Sequence, residues 1–362
     1  MRNLHAVVLA GGSGTRFWPA SRALRPKQLL PLAGGETLLA ATLGRIRDLV
    51  PAERTWIITN PQLAAPIQAA LPGFPRSQLV VEPEPRDTAP CVALAAARIA
   101  AVDADATLAV MPADHVIHPA AAFHDLMRRG AELAADGRTL VTFGVNPTRP
   151  ATSYGYIEVG EALPGSGAGA YRVARFREKP DLQTAKEFFV SGRFLWNSGI
   201  FVWTVPALLA AMEVGNPELA GCAVAMLEAA RRGDEATLAI AFRRAPKISI
   251  DYAVMEKAPA VAVLRAELEW DDIGSFVRLA TVTGQDGEGN SVFQGEGTRA
   301  VLHEADGNVV YGEGRRAIAL FGVHDLVVVA VDDAVLVCPK SRADDLKVLI
   351  QRLRSQGCAD LL

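Results

Sequence analysis

Long apolar runs are what this 362-residue sequence most plainly lacks. No stretch approaches the roughly 20 residues that a membrane-spanning helix needs, so no membrane segment is expected. The apolar run near the N-terminus, Ala6–Ala10, is too short for the core of a secretory leader and runs into glycines. Cysteine is scarce. Cys91, Cys222, Cys338 and Cys358 lie far apart, which argues against zinc-ligand spacing and for a reducing compartment. The cytoplasm is therefore the expected location. An excess of positive charge is missing too: 37 Lys and Arg stand against 40 Asp and Glu, for a net charge of −3. That excludes the broad basic field of a nucleic-acid binder. Any phosphate site must be a local cluster of cations and backbone N–H groups. What the chain has is a hydrophobic half, enough for a packed core and against disorder.

Over the first 280 or so residues, strand-like and helix-like stretches alternate. Short apolar runs at Ala6–Ala10, Thr55–Thr59, Leu79–Val81, Thr107–Met111 and Thr139–Phe143 read as buried parallel strands. Helices are expected over Thr37–Leu49, over Pro90–Val102 with Asp87 or Thr88 as N-cap, and over Ala121–Ala135. This alternation predicts an α/β fold with a doubly wound, Rossmann-like sheet. After Phe143 the rhythm changes. Strands at Tyr156–Val159 and Arg172–Arg177 and helices at Asp181–Ser191, Pro206–Ala211 and Glu218–Arg231 read as a substrate-binding insertion on that sheet. Gly284–Asn290 reads as a linker. Beyond it come short strands at Asn308–Tyr311, Ala317–Phe321, Leu326–Ala330 and Ala334–Cys338, then a helix starting at Ser341 with Asp344 as a capping partner. The expected division is a catalytic domain over residues 1–284 and a β-rich module over 291–362. No internal repeat is evident.

The first strand is followed by Gly11-Gly12-Ser13-Gly14-Thr15-Arg16 and, later, by Pro26-Lys27-Gln28. Glycines let the backbone turn sharply and bring its N–H groups against a phosphate. Arg16 can grip two phosphate oxygens, and Lys27 adds a point charge. The turn is not a P-loop, because no G-K-S/T follows Gly14, and it lacks the third glycine of a dinucleotide-binding turn. Thr107–Met111 runs into Asp114 at the strand end where α/β sheets bind ligands, and Asp271 and Asp272 follow far downstream. Asp114 with one of those two would suit Mg²⁺, which takes few protein carboxylates and completes its shell with phosphates and waters. His115 and His118 read as turn and surface residues, and Trp196, Trp203 and Trp270 as core, with Trp196 also a candidate wall of the ligand pocket. Asp103-Ala104-Asp105 has the D-x-D form of glycosyltransferases but precedes a strand instead of following one.

In order along the chain stand AGGSGTRFWPASRALRPKQ (10–28), EPEPRDTAP (82–90), PADH (112–115), PTRPATSYGYIE (147–158), FREKP (176–180), WNSGIF (196–201), SIDYAVMEK (249–257) and WDDIGSF (270–276). With these segments the chain resembles the bacterial mannose-1-phosphate guanylyltransferases, or GDP-mannose pyrophosphorylases. The resemblance implies that Ala10, Gly11, Gly12, Gly14, Thr15 and Arg16 hold the nucleotide triphosphate, with Lys27 near its phosphates. It implies that Glu82, Asp87, Thr88 and Ala89 face base and ribose. Asp114 and Asp272 would bind Mg²⁺, and Gly155, Glu178, Lys179 and Asn197 the sugar phosphate. Asp87 departs from the family's usual Asn; a carboxylate accepts where an amide can also donate. Longer members carry a cupin that isomerises mannose 6-phosphate; no counterpart of its His-rich site stands here, so isomerase activity is not expected. A homodimer formed through the β-rich module is expected by the same resemblance.

The implied substrates are GTP and mannose 1-phosphate, the implied products GDP-mannose and pyrophosphate, with Arg16, Lys27 and Lys179 as the catalytic cations. The attacking phosphate oxygen is already ionised, so no side-chain general base is required; positioning and charge neutralisation carry such reactions. The alternatives are the same chemistry on another nucleotide and hexose 1-phosphate, and a non-catalytic binder on the same fold.

Overall fold

Strand β1 (Leu4–Leu9) sends Val7 to one side of its sheet and Ala6 and Val8 to the other, and every one of them is fully buried. A strand apolar on both faces must lie inside a layered α/β sandwich. The structure, a computed structural model, describes residues 3–12, 14–32 and 35–362. Ser13, named above as part of the glycine turn, lies outside them.

The element order is β1, α1 (Leu38–Ile46), β2 (Thr55–Thr59), α2 (Ala64–Ala70), β3 (Leu79–Val81), α3 (Thr88–Val102), β4 (Thr107–Pro112), β5 (Val116–His118), α4 (Ala120–Ala134) and β6 (Leu140–Val145). It continues through β7 (Tyr156–Ala162), β8 (Ala170–Arg177), α5 (Leu182–Ser191), β9 (Phe194–Thr204), α6 (Val205–Gly215), α7 (Pro217–Arg232), α8 (Glu235–Arg244), β10 (Val261–Ala266), β11 (Glu269–Asp271) and α9 (Phe276–Thr283). Nine strands form one sheet in the order β3-β2-β1-β4-β9-β6-β10-β8-β7. β1 to β4 pair in parallel, and β9 runs antiparallel between β4 and β6. The sheet is thus mixed, with α3, α6, α7 and α8 packed on one face and α1 and α4 on the other. Asp87, not Thr88, caps α3, and its carboxylate accepts from Thr88 N–H at 2.7 Å.

Residues after Phe143 do not form a separate layer on the sheet: β7 to β10 extend it. Neither the long strand β9, which is the central strand, nor β10, which lies between β6 and β8, is expected from the sequence. β9 is buried along almost its whole length, with Trp203 fully buried, so it lacks the alternation that marks a half-exposed strand.

The C-terminal strands are β12 (Ser291–Gln294), β13 (Thr298–His303), β14 (Val309–Gly312), β15 (Arg316–Phe321), β16 (Leu326–Ala330) and β17 (Val335–Pro339), followed by α10 (Leu346–Ser355). Here the structure corrects the absence of a repeat. Ser291 pairs with Val309, Val309 with Val327, and Thr298 with Arg316, each 18 residues on and each in parallel. The chain coils with one turn per 18 residues. Asn290 and Asn308, both buried, occupy equivalent corners: Asn308 N–H and Nδ2 donate to Asn290 Oδ1, and Leu326 N–H donates to Asn308 Oδ1. Side chains elsewhere differ from turn to turn, which hides the period in the sequence. The final helix begins at Leu346, after a 3₁₀ stretch over Lys340–Asp345, and Ser341 caps nothing.

This coil does not stand apart. One apolar cluster joins Phe17, Trp18, Leu30 and Phe276 to Val309, Val327, Leu346 and Ile350. Two arginines flank it: Arg25 meets Glu313 through two bonds of 2.6 and 2.8 Å, and Arg22 meets Asp333 at 2.6 Å.

Candidate functional site

The carboxyl ends of β1 and β4 open a crevice beside the point where the strand order turns back, which is where such sheets bind ligands. The glycine turn leaves β1 there. Gln28 holds it from below, donating from Nε2 to the carbonyls of Ala10 (3.1 Å) and Gly12 (3.2 Å). Gly14 has φ 57°, and a Cβ on it would stand 2.4 Å from Lys27 Cβ. Only a residue without a side chain allows that approach.

Lys27 is buried, and its ammonium donates to Asp114 Oδ2 at 2.8 Å and to the carbonyl of Asp272. Gly14, Arg16, Lys27, Asp114, His115, Asp272 and Gly274 surround one cavity of about 190 Å³. Gly274 gives Arg16 its place, since a Cβ there would lie 3.0 Å from the guanidinium. Burial pushes the Asp114 carboxyl up, but the charge of Lys27, helped by His115 and the hydrogen bond, outweighs it and holds the carboxyl below its usual value. Asp272 Oδ1 accepts from the Tyr154 hydroxyl at 2.7 Å, and burial together with that carboxylate pushes the phenol up. Of the two downstream aspartates, Asp272 faces the cavity. Asp271 is buried, ion-paired to Arg278, and accepts from Ile273 N–H. No group of three or more His, Cys, Asp or Glu among the described residues could hold a metal by itself. Two carboxylates on one small cavity, between a lysine and an arginine, suit a hard divalent cation whose other ligands are phosphate oxygens and waters.

A second cavity, of about 220 Å³, shares Asp272 and His115 with the first and is lined by Thr88, Tyr154, Gly155, Glu178, Lys179, Asn197 and Asp251. Gly155 lets Glu178 in, because a Cβ would meet Glu178 Oε2 at 2.4 Å. Lys179 pairs with Glu178 at 2.8 Å from a backbone of φ 43°. Burial works against its charge, but the bond to Glu178 raises its pKa. Asn197 donates to Asp251 at 2.9 Å and accepts from Thr142 Oγ1. Burial and then the Glu178 charge raise the Asp251 carboxyl.

The remaining expected contacts fall elsewhere. Ala10 and Ala89 are buried, with their N–H groups bonded to Ile58 O and Ile248 O. Gly12 is exposed and unobstructed, while Gly11 and Thr15 line a different cavity. Glu82 is buried 3.8 Å from where a Gly11 Cβ would be, and burial lifts its carboxyl to about 7. Asp87 is exposed at φ 69°. Thr88, expected at the base and ribose, instead lines the second cavity, and its Oγ1 accepts from Ile250 N–H at 2.9 Å.

Some residues were misread or missed. His115 is not a surface residue: it borders both cavities, its Nδ1 faces Trp270 Nε1 at 3.2 Å, and burial lowers its pKa. Trp270, not Trp196, walls the second cavity; Trp196 packs edge-on against Tyr154 at 4.9 Å. Asp251 stands inside the SIDYAVMEK segment, in a one-turn π-helix that no spacing rule announces. Asp103 accepts from His5 at 3.1 Å, away from both cavities.

Known proteins resemble this chain over nearly its whole length. The family described as Nucleotidyl transferase matches residues 5–288, and the MannoseP isomerase/GMP-like beta-helix domain matches residues 298–353. The xanthan biosynthesis protein XanB of Xanthomonas campestris pv. campestris (strain B100) is 38% identical across 99% of this chain and 74% of its own length. The mannose-1-phosphate guanylyltransferase ManC of Salmonella typhimurium is 38% identical across 98% of this chain and 74% of its own. Among solved structures, the mannose-1-phosphate geranyltransferase of Thermus thermophilus superposes with a TM-score of 0.87 at 37% identity, over 97% of this chain and 99% of that one. No helix of the described residues is long and apolar enough to cross a membrane.

Proposed function

We infer that the chain, which belongs to the nucleotidyl transferase family, is a mannose-1-phosphate guanylyltransferase that joins GTP and mannose 1-phosphate into GDP-mannose and releases pyrophosphate. One observation carries the reading: the cavity of Arg16, Lys27, Asp114 and Asp272 shares a wall with that of Glu178, Lys179 and Asn197. A triphosphate in the first and a sugar phosphate in the second would meet across Asp272 and His115.

The reaction joins two anions, and repulsion is its main obstacle. Lys27, fixed by Asp114 and the Asp272 carbonyl, presents its charge without reorganising. Arg16 grips phosphate oxygens of the nucleotide. Lys179 neutralises the incoming sugar phosphate, whose ionised oxygen attacks the α-phosphorus as the bond to pyrophosphate breaks. Glu178, brought close by Gly155, and Asn197 accept from and donate to sugar hydroxyls. Asp114 and Asp272 would hold Mg²⁺, which when bound supplies charge neutralisation to the triphosphate. Tyr154 keeps Asp272 aimed at that position. Gly11, Gly12 and Thr15 offer backbone to the nucleotide, and Glu82 and Asp87 are the candidate acceptors for guanine N–H groups. The enzyme is taken to act in the cytoplasm as a homodimer.

Pyrophosphate release measured with each of the four NTPs against mannose 1-phosphate and glucose 1-phosphate tests the reading. GTP with mannose 1-phosphate should give the highest kcat/KM. A higher value for any other pair overturns it.

A further inference from the structure

His115 and Asp272 line both cavities of the proposed reaction, and among the described residues no other does. Asp272 stands there as a carboxylate. His115 brings an imidazole, and its surroundings decide which nitrogen carries the proton.

The placement starts from a short pairing. β5 and β11 run antiparallel with Ile117 opposite Trp270 and Val116 opposite Asp271, so His115, just before β5, stands beside the β11 indole. Arg45 fixes the loop, donating to the carbonyl of His115 at 2.9 Å. Trp270 Nε1 donates to His115 Nδ1 at 3.2 Å, and the two rings meet edge to face at 5.3 Å. An indole N–H only donates, so Nδ1 must offer its lone pair and the proton must sit on Nε2. The chain contains the same arrangement once more. Trp56 Nε1 donates to His5 Nδ1 at 3.1 Å, and there the Nε2–H is used, donating to Asp103 Oδ2 at 3.1 Å. The Nε2 of His115 has no partner among the described residues. The residue is only half-buried, so a fixed donor is left unused at the boundary of the two cavities.

An uncharged donor has a use at that boundary. The α-phosphorus of the proposed reaction lies between the triphosphate and the sugar phosphate. As the sugar-phosphate oxygen bonds to it and the bond to pyrophosphate breaks, charge spreads over its non-bridging oxygens. An N–H already held in place stabilises that charge without reorganising. No proton is transferred; His115 keeps its own.

We propose that His115 is a catalytic residue that donates through Nε2 to a non-bridging α-phosphate oxygen, and that Trp270 is a positioning residue that holds the ring and its tautomer. This rests on the reading of the chain as a nucleotidyltransferase, but on neither the base nor the sugar.

Nitrogen NMR of the full chain with isotope-labelled histidine reads the tautomer without substrate. The His115 signals, identified by their loss in His115→Gln, should be those of a neutral ring protonated at Nε2. A ring protonated at Nδ1 overturns the proposal whatever the substrates are. Kinetics use the nucleotide and sugar phosphate that the wild type turns over best, so a preference for another pair would correct the substrates and leave this test intact. His115→Ala should lower kcat by about 10² and leave both KM values within about threefold. His115→Gln, whose amide nitrogen reaches the place of Nε2, should recover about tenfold or more of that loss, whereas His115→Asn, whose amide reaches only the place of Nδ1, should not. Trp270→Phe keeps an aromatic wall and removes the donor. It should lower kcat about three- to tenfold when His115 is present and leave it unchanged on top of His115→Ala. Equal losses in the Gln and Ala variants, or a Trp270→Phe effect that persists without His115, overturn the proposal.

Discussion

Lys27 and Asp114, 87 residues apart in sequence, meet at 2.8 Å, and the same ammonium also reaches the carbonyl of Asp272. The cation is anchored before any ligand arrives. Replacing Lys27 by Met keeps the stem and removes the charge. Turnover should fall by about 10²–10³, the usual loss on deleting one preorganised charge-stabilising group. Steady-state kinetics check this, and a loss under tenfold would remove Lys27 from the reaction.

Gly14 is the condition for that anchor. Gly14→Ala would place a methyl group 2.4 Å from Lys27 Cβ and 2.8 Å from its backbone nitrogen, at φ 57°. Melting should show a stability loss of about 2 kcal/mol or more from left-handed strain and overpacking together. Activity should fall further than melting alone explains. An unchanged melting curve would mean that the turn adjusts freely.

The two downstream aspartates should separate by phenotype. Asp114→Asn and Asp272→Asn should each abolish Mg²⁺-dependent turnover at every Mg²⁺ concentration tried. Asp271→Asn, which takes the counter-charge from half-buried Arg278 and leaves a polar group buried at 271, should instead destabilise the fold by about 1–3 kcal/mol. Near-normal activity in either of the first two variants would end the case for paired metal ligands.

Lys179→Ala should raise KM for the sugar phosphate and leave KM for the nucleotide nearly unchanged, because Lys179 lies on the second cavity and not on the first. Initial-rate measurements varying each substrate decide it, and an unaltered sugar-phosphate KM would exclude the residue from binding.

Glu82 should give stability a pH slope. Burial lifts its folded carboxyl to about 7, above the unfolded value of 4.5. The folded state therefore holds a proton that the unfolded state releases in that window. Its contribution is complete below pH 4.5 and is lost as pH rises to about 7, on the order of 2–3 kcal/mol. Glu82→Gln should flatten this part of the melting profile and stabilise the protein above pH 7. A wild-type slope in the variant would assign the effect to other groups.

Much of this architecture is legible in the sequence, and the exceptions share physical causes. β1 to β4 announce themselves as short apolar runs, because a parallel strand covered on both faces needs nothing else. β9 has the same composition but is 11 residues long and interrupted by Asn197, Ser198 and Gly199, where it bulges to reach the second cavity. The 18-residue coil is hidden because its period resides in backbone pairing and in the two asparagine corners, not in repeated side chains.

At the site, Gly14, Arg16, Lys27 and Asp114 converge as their motifs suggest. Asp251 and Tyr154 do not stand out, since an aspartate and a tyrosine among many carry no mark until the fold brings them beside Asn197 and Asp272. His115 is misread for a related reason. Its burial depends on Trp270, 155 residues away.

Phe17 and Leu30 flank the residues that grip phosphate, yet their apolar surroundings come from Val309, Val327 and Ile350 at the other end of the chain. Hybrid proteins built by splicing this coil onto a relative's first 290 residues would therefore inherit ill-matched neighbours beside Arg16 and Lys27. For recombination, and for anyone transplanting specificity between relatives, the smallest exchangeable unit includes both halves of that seam.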